Sequence, residues 1–173
     1  VAGVPARLMR VGFVGEWGYE IHVPASMAGT VWDALMLAGA NAGIRPFGVE
    51  AQRLLRLEKG HIIIGQDTDG LTTPFEAGLD WAVKMDKSFF VGQRSLQIVT
   101  KKPLRHKLVG ITLTVHERQA PQECHLVVMH GEITGRITSI AWSPMLSCYI
   151  GLAYVSPQYA APGTVINVRL TDG

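Results

Sequence analysis

The hydrophobic period changes near residue 108, and this restricts the fold more than any other feature of the chain. From Leu108 onward, apolar residues recur at every second position in candidate strands at 108–115, 124–129, 132–140, 148–155 and 164–170. Turns containing Pro or Gly separate them, and His130-Gly131 is the tightest of these. A period of two with regular turn punctuation predicts a small antiparallel β-barrel or jelly roll. Ahead of residue 108, helical and strand patterns are mixed. The expected class is therefore α+β, with one domain at 1–100, a linker at 101–107 and a barrel at 108–173.

At 173 residues, with 47% hydrophobic and 17% charged side chains, the chain can bury a core without staples. No apolar run approaches the ~18 residues of a membrane span. Sixteen Lys and Arg against fourteen Asp and Glu is too mild a bias to predict nucleic-acid binding. The one basic cluster, Lys101, Lys102, Arg105, His106 and Lys107, is interrupted by Pro103 and reads as a solvated linker. Cys124 and Cys148 form neither a disulfide framework nor a Cys-x-x-Cys zinc pair, which predicts reduced thiols and a cytoplasmic setting. The chain opens on Val1 and closes on Asp172-Gly173, a hairpin turn signal with no returning strand, so it is expected to be a piece of a longer protein.

Before the linker, Arg7 to Phe13 and Tyr19 to Val23 predict two strands, or one strand broken by a glycine turn at Gly12, Gly15 and Gly18. Ser26 is a candidate N-cap for a helix over 27–41 with Met27, Val31, Leu35 and Ala38 on its apolar face and Gly43 as its stop. A second helix over 49–59 would turn Val49, Leu54 and Leu57 inward and end at Gly60. Ile62 to Ile64 fits a buried strand or an extended segment, and 66–70 is turn material. In Thr73-Pro74-Phe75-Glu76, a Thr cap, a Pro at the first helical position and a Glu at the third predict a capping box. A strand near Leu79 to Lys84 and a helix near Gly92 to Val99 complete this half.

Common catalytic signatures are missing: no phosphate loop, no nucleophile elbow, no His-Glu-x-x-His. Gly12, Gly15 and Gly18 are spaced by threes, which does not match the dinucleotide fingerprint. Asp67-Thr68-Asp69-Gly70 begins like a calcium loop but has Leu71, Thr72 and Gly78 where that loop needs oxygen, glycine and Glu, and it reads as a solvated turn. The six histidines (His22, His61, His106, His116, His125, His130) include no pair at helical i, i+4 spacing, so no metal site is expected from sequence.

Glu20 is the residue to single out. Alternation in Tyr19-Glu20-Ile21-His22-Val23 puts Glu20 and His22 on one face of a strand and the apolar residues on the other. A polar strand face accounts for this by itself. The setting adds a second reading, because Gly15 and Gly18 flank Trp17 and Tyr19 and allow a flat ligand to approach backbone and stack on rings. A carboxylate there suits a ligand edge with two adjacent donors.

Gly15-Glu16-Trp17-Gly18-Tyr19-Glu20-Ile21 resembles a segment of the folate-dependent aminomethyltransferase (glycine-cleavage T-protein) family. The resemblance continues in order through Leu55-Arg56-Leu57-Glu58-Lys59-Gly60, Thr72 to Leu79, Gly135-Arg136-Ile137-Thr138-Ser139 with Ser143-Pro144, and Pro162-Gly163-Thr164. Within the family, Glu58 to Gly70 and Phe90 to Leu96 look closest to the C-terminal part of the α subunit of heterotetrameric sarcosine oxidase.

The resemblance implies the C-terminal half of a folate-binding domain followed by a small β-barrel. It implies tetrahydrofolate as cofactor, 5,10-methylenetetrahydrofolate as product, and any flavin or NAD bound by other segments or subunits. Folate, a one-carbon donor and other parts of an oxidase complex would be the partners, with neither nucleic acid nor membrane among them. Glu20 would accept from the pterin N3–H and 2-amino group, and Trp17 would stack on the ring or fill the groove as core. Gln52 stands where T-proteins place a substrate-holding Arg. Arg56 would be structural or interface-facing, with folate contact the lesser role. The family's catalytic Asp would precede Val1, so no catalytic residue is expected in this chain and the chain alone would be inactive. A stand-alone glycine-cleavage aminomethyltransferase is the enzymatic alternative. A folate-binding or subunit-docking module on the same fold is the non-catalytic one; its iron–sulfur maintenance version carries a Cys where this chain has His61.

Overall fold

A computed structural model gives the fold and describes residues 1–113 and 120–171. The chain divides into two compact units, Val1–His61 and Ile62–Gly173.

In the first unit, β1 (Arg7–Arg10) and β2 (Tyr19–His22) form one antiparallel hairpin with Arg7 opposite His22 and Met9 opposite Glu20. A 3-10 turn at Ala25–Met27 leads into α1 (Ala28–Gly39). Ser26 is not the N-cap: it lies inside that turn, which starts early because Pro24 O accepts from Met27 N at 2.9 Å. Of the expected apolar face of α1 only Val31 is buried; Met27, Leu35 and Ala38 are exposed. Gly43, at φ +72°, ends this stretch as expected. α2 (Val49–Lys59) stops at Gly60 with φ +77°, a conformation that favours glycine, and His61 N then reaches back to Arg56 O at 2.8 Å. Leu57 is buried and Leu54 half-buried, but Val49 is exposed in the first turn rather than inward.

In the second unit, Ile62–Ile64 forms no strand. Ile63 instead gives its N–H to the Asp67 carboxylate and its carbonyl to Asp67 N. The capping box forms as predicted: Glu76 Oε2 accepts from Thr73 N and Thr73 Oγ1, each at 2.9 Å, and Thr73 Oγ1 accepts from Glu76 N at 3.3 Å. It closes a single turn, because Gly78 (φ +70°) follows and Leu79 N returns to Pro74 O. The strand expected at 79–84 is a 3-10 turn at Asp80–Ala82. α3 spans Gln93–Val99.

Five antiparallel strands follow: β3 (Lys107–Leu113), β4 (Leu126–Met129), β5 (Glu132–Ser143), β6 (Cys148–Val155) and β7 (Asn167–Arg169), ordered β3-β6-β5-β4-β7. Fully buried Val127, Ile137, Ala153 and Val155 form the core of this sheet. His130 and Gly131 both take positive φ (52° and 83°), as the tight β4–β5 hairpin requires. β4 starts two residues late: Cys124, at φ +70°, breaks the regular strand, although Cys124 N and His125 O still bond Ile137 of β5. Thr114, Val115, His116 and the Asp172-Gly173 turn lie outside the described residues. No helix among the described residues is long and apolar enough to cross a membrane.

Candidate functional site

Residues directly opposite in an antiparallel pair share a face, so Arg7, Met9, Glu20 and His22 lie on one side of the hairpin and Leu8, Arg10, Tyr19 and Ile21 on the other. Glu20 and His22 share a face, as alternation implies, and His22 Nε2 lies 3.1 Å from Glu20 Oε2. A carboxylate can only accept here, so the imidazole donates. Glu20 Oε1 makes no hydrogen bond among the described residues, and the side chain is about half exposed (53%). The carboxylate is thus anchored at one oxygen and open at the other.

The glycine loop before β2 is fixed by contacts within the same unit. A Cβ on Gly18 would stand 2.6 Å from Val11 O, and Val11 N donates to Gly18 O at 3.1 Å, so only glycine lets the loop strands close. Gly15 has φ +95°, and a Cβ there would meet the Lys59 side chain at 3.0 Å. His61 Nδ1 donates to Phe13 O at 2.6 Å. Arg56 is 1% exposed and its Nη1 donates to His61 O at 3.0 Å, which gives the structural role favoured for it from sequence. The end of α2 therefore holds the loop that leads into Glu20. His61 could not be read as a support from sequence, because 48 residues separate it from Phe13.

Trp17 is not core: it is 82% exposed, with the Arg10 guanidinium 4.7 Å from its ring centroid. Arg10 belongs to the Tyr19 side, so the hairpin pairs Glu20 with His22 and Trp17 with Arg10. Gln52 is exposed on α2, and its side chain makes no hydrogen bond among the described residues.

The second unit contains a buried polar node in the segment read as a solvated turn. That reading holds for Asp69, which is exposed and whose Oδ1 accepts from Leu71 N, Thr72 N and Thr72 Oγ1. These bonds, the Leu71 amide foremost, hold its carboxyl below the usual carboxylate range. The reading fails for Asp67, which is 0% exposed. Asp67 Oδ1 accepts from Thr138 Oγ1 at 2.6 Å and Ser139 Oγ at 2.5 Å, and Oδ2 from Ile63 N at 2.8 Å. Successive strand residues ordinarily face opposite sides; here the register shift between Ile137 and Ser139 is a bulge that turns both hydroxyls to one oxygen. Tyr154 OH donates to Asp67 O at 2.8 Å, and Gln66 Nε2 reaches Ser139 Oγ and Glu123 Oε1. Burial, the foremost cause, raises the Tyr154 phenol, so it stays a donor at neutral pH. This node fastens the Gln66-Asp67 turn to the sheet.

Residues 1–87 match the GCVT N-terminal domain, and residues 106–173 match the glycine cleavage T-protein C-terminal barrel domain. The chain belongs to the glycine cleavage T-protein family. An aminomethyltransferase of Halothermothrix orenii is 41% identical over 166 residues, covering 96% of this chain and 46% of that protein. One from Streptomyces avermitilis is 43% identical over 169 residues, covering 95% and 45%. The crystal structure of glycine cleavage system aminomethyltransferase T from Bartonella henselae superposes with a TM-score of 0.82 at 28% identity, covering 96% of this chain and 46% of that one. The T-protein-family chain thus spans under half the length of these relatives. Their names are those of aminomethyltransferases; none of these three is named as a sarcosine oxidase.

Proposed function

We propose that this T-protein-family chain is the pterin-holding part of a folate-dependent aminomethyltransferase of the glycine-cleavage type. The observation that carries the reading is the Glu20 carboxylate: exposed on an antiparallel hairpin, oriented by His22 through Oε2, and open at Oε1. Such a group fits a ligand edge with two adjacent donors, the pattern of a pterin N3–H and 2-amino group. Bound tetrahydrofolate would supply the nucleophilic nitrogen that accepts a one-carbon unit. Glu20 fixes the orientation of the ring, His22 fixes Glu20, and the Arg56–His61–Phe13 chain of bonds keeps the hairpin loop from drifting. Trp17 offers an exposed ring for stacking, and Gln52 a neutral amide where an Arg would bring charge.

A folate-binding domain and a barrel domain join at 101–107, and the two free thiols, Cys124 and Cys148, are consistent with a cytoplasmic setting. Gln52 favours a second reading, a folate module in an amine-oxidase assembly; the names of the relatives weigh toward the first. Calorimetric titration with 5-formyltetrahydrofolate tests the role of Glu20, using this chain and the same chain within a protein of its relatives' length. Glu20→Ala is expected to weaken binding by about 2 to 4 kcal/mol. Unchanged affinity in the variant, or no binding in either protein, contradicts the reading.

A further inference from the structure

The second unit contains a cavity of about 300 Å³ between the capping-box turn, the end of α3 and the 102–106 linker. This is the low end of the range for small-molecule sites. Its lining includes Glu76 and Asp69 together with Lys102, Arg105 and His106. Glu76 is 5% exposed, and its two oxygens are used unequally. Oε2 takes both Thr73 donors, which completes the capping box. Oε1 has only His106 Nε2 nearby, at 3.7 Å, too far for a hydrogen bond, and no other partner among the described residues.

A buried carboxylate oxygen without a donor is costly, and the capping box does not need it, since a Gln would cap equally well. His106 is held where it is: its ring packs edge-on against Tyr154 with centroids 4.8 Å apart, and Leu108 N anchors the backbone to Glu76 O at 2.8 Å. Lys102 and Arg105 form no ion pair among the described residues, although they line the same cavity as Glu76 and Asp69. Two acidic residues in the lining disfavour a simple anion such as phosphate. Two cations disfavour a simple amine.

We propose that this cavity binds a small zwitterion, an α-amino acid of a few carbons. Its ammonium group donates to Glu76 Oε1, and its carboxylate is held by Lys102 and Arg105. The site shares no residue with the Glu20 hairpin and does not depend on the folate reading. It also gives a use to the basic cluster that the sequence suggests is only a solvated linker.

The test is a 1H–15N NMR titration of the 173-residue chain with L-alanine, and with acetate, methylammonium and trimethylglycine as probes lacking one feature each. Saturable shifts at the amides of Thr73, Glu76 and Arg105 are expected with L-alanine, and at least tenfold weaker binding with each of the other three. Glu76→Gln keeps an acceptor for Thr73 but replaces the open oxygen with an amide NH2 that can only donate, and should weaken L-alanine at least tenfold. Arg105→Gln, which removes no capping-box hydrogen bond, should do the same and decides the matter if Glu76→Gln fails to fold. Absence of saturable shifts in a folded spectrum overturns the proposal. So does trimethylglycine binding as tightly as L-alanine, or unchanged affinity in Arg105→Gln.

Discussion

Replacing Asp67 with Ala removes the acceptor for three donors in one step, and the structure allows the cost to be worked out. Ile63 N–H is left with no partner in place of its 2.8 Å bond. Thr138 Oγ1 keeps a weaker 3.3 Å bond to Leu152 O, and Ser139 Oγ keeps its contact with Gln66 Nε2 at 3.0 Å, so the two hydroxyls lose only part of their satisfaction. A hydrogen bond to a charged acceptor contributes about 1.5 to 3 kcal/mol, and an orphaned buried donor costs about 1 to 3. With the partial compensation, Asp67→Ala should destabilise the second unit by about 3 to 5 kcal/mol, a large share of a typical domain's total. Asp67→Asn still accepts from both hydroxyls but turns an amide NH2 toward Ile63 N–H, so its cost should be smaller, about 1 to 3 kcal/mol. Urea unfolding followed at Trp142 in β5 reads the total, and hydrogen exchange of the Ile63 amide reads the local bond. A loss below about 1 kcal/mol at unchanged m-value, or an Ile63 amide as protected in Asp67→Ala as in the parent, would refute the assignment of Asp67 as the fastening point.

Gly18→Ala places a Cβ 2.6 Å from a backbone oxygen, Val11 O, which cannot move without opening the hairpin. It should cost about 2 kcal/mol or more in the first unit and lower affinity for 5-formyltetrahydrofolate, whereas a normal affinity would show that the loop's close approach is dispensable. Asp69 has its carboxyl lowered in the fold, so its turn is stabilised above the ordinary carboxylate pKa and that contribution is lost as pH falls through the lowered value. Amide shifts of Leu71 and Thr72 followed from pH 7 to pH 2 should report the turn intact below the usual carboxylate range; loss at the ordinary carboxylate pKa would contradict the geometry.

Elements whose signals are local were legible in the sequence. The capping box at Thr73, the stop at Gly60, the His130-Gly131 turn and the β-strand period after residue 108 each depend on residues within a few positions. Glu20 and His22 were legible for the same reason, since alternation alone puts them on one face. What sequence misplaced depends on distant partners. Asp67 looks like turn material until Thr138 and Ser139, 71 and 72 residues later, are brought over it by a bulge. The strand expected at Leu79 to Lys84 had the composition of a strand but no neighbour to pair with, and settled as a 3-10 turn. Val49 and Leu35 follow helical spacing, yet spacing gives only the side of the helix and not whether anything covers it.

The central claim is that Glu20 grips the two-donor edge of a pterin, and a double-mutant cycle across that contact tests it most directly. Parent and Glu20→Ala proteins would each be titrated with 5-formyltetrahydrofolate and with its analogue lacking the 2-amino group. If the carboxylate and the amino group touch, the two losses overlap and the cycle gives a coupling energy of about 1 kcal/mol or more. If the losses simply add, Glu20 and the 2-amino group do not meet, and the pterin is held by other residues.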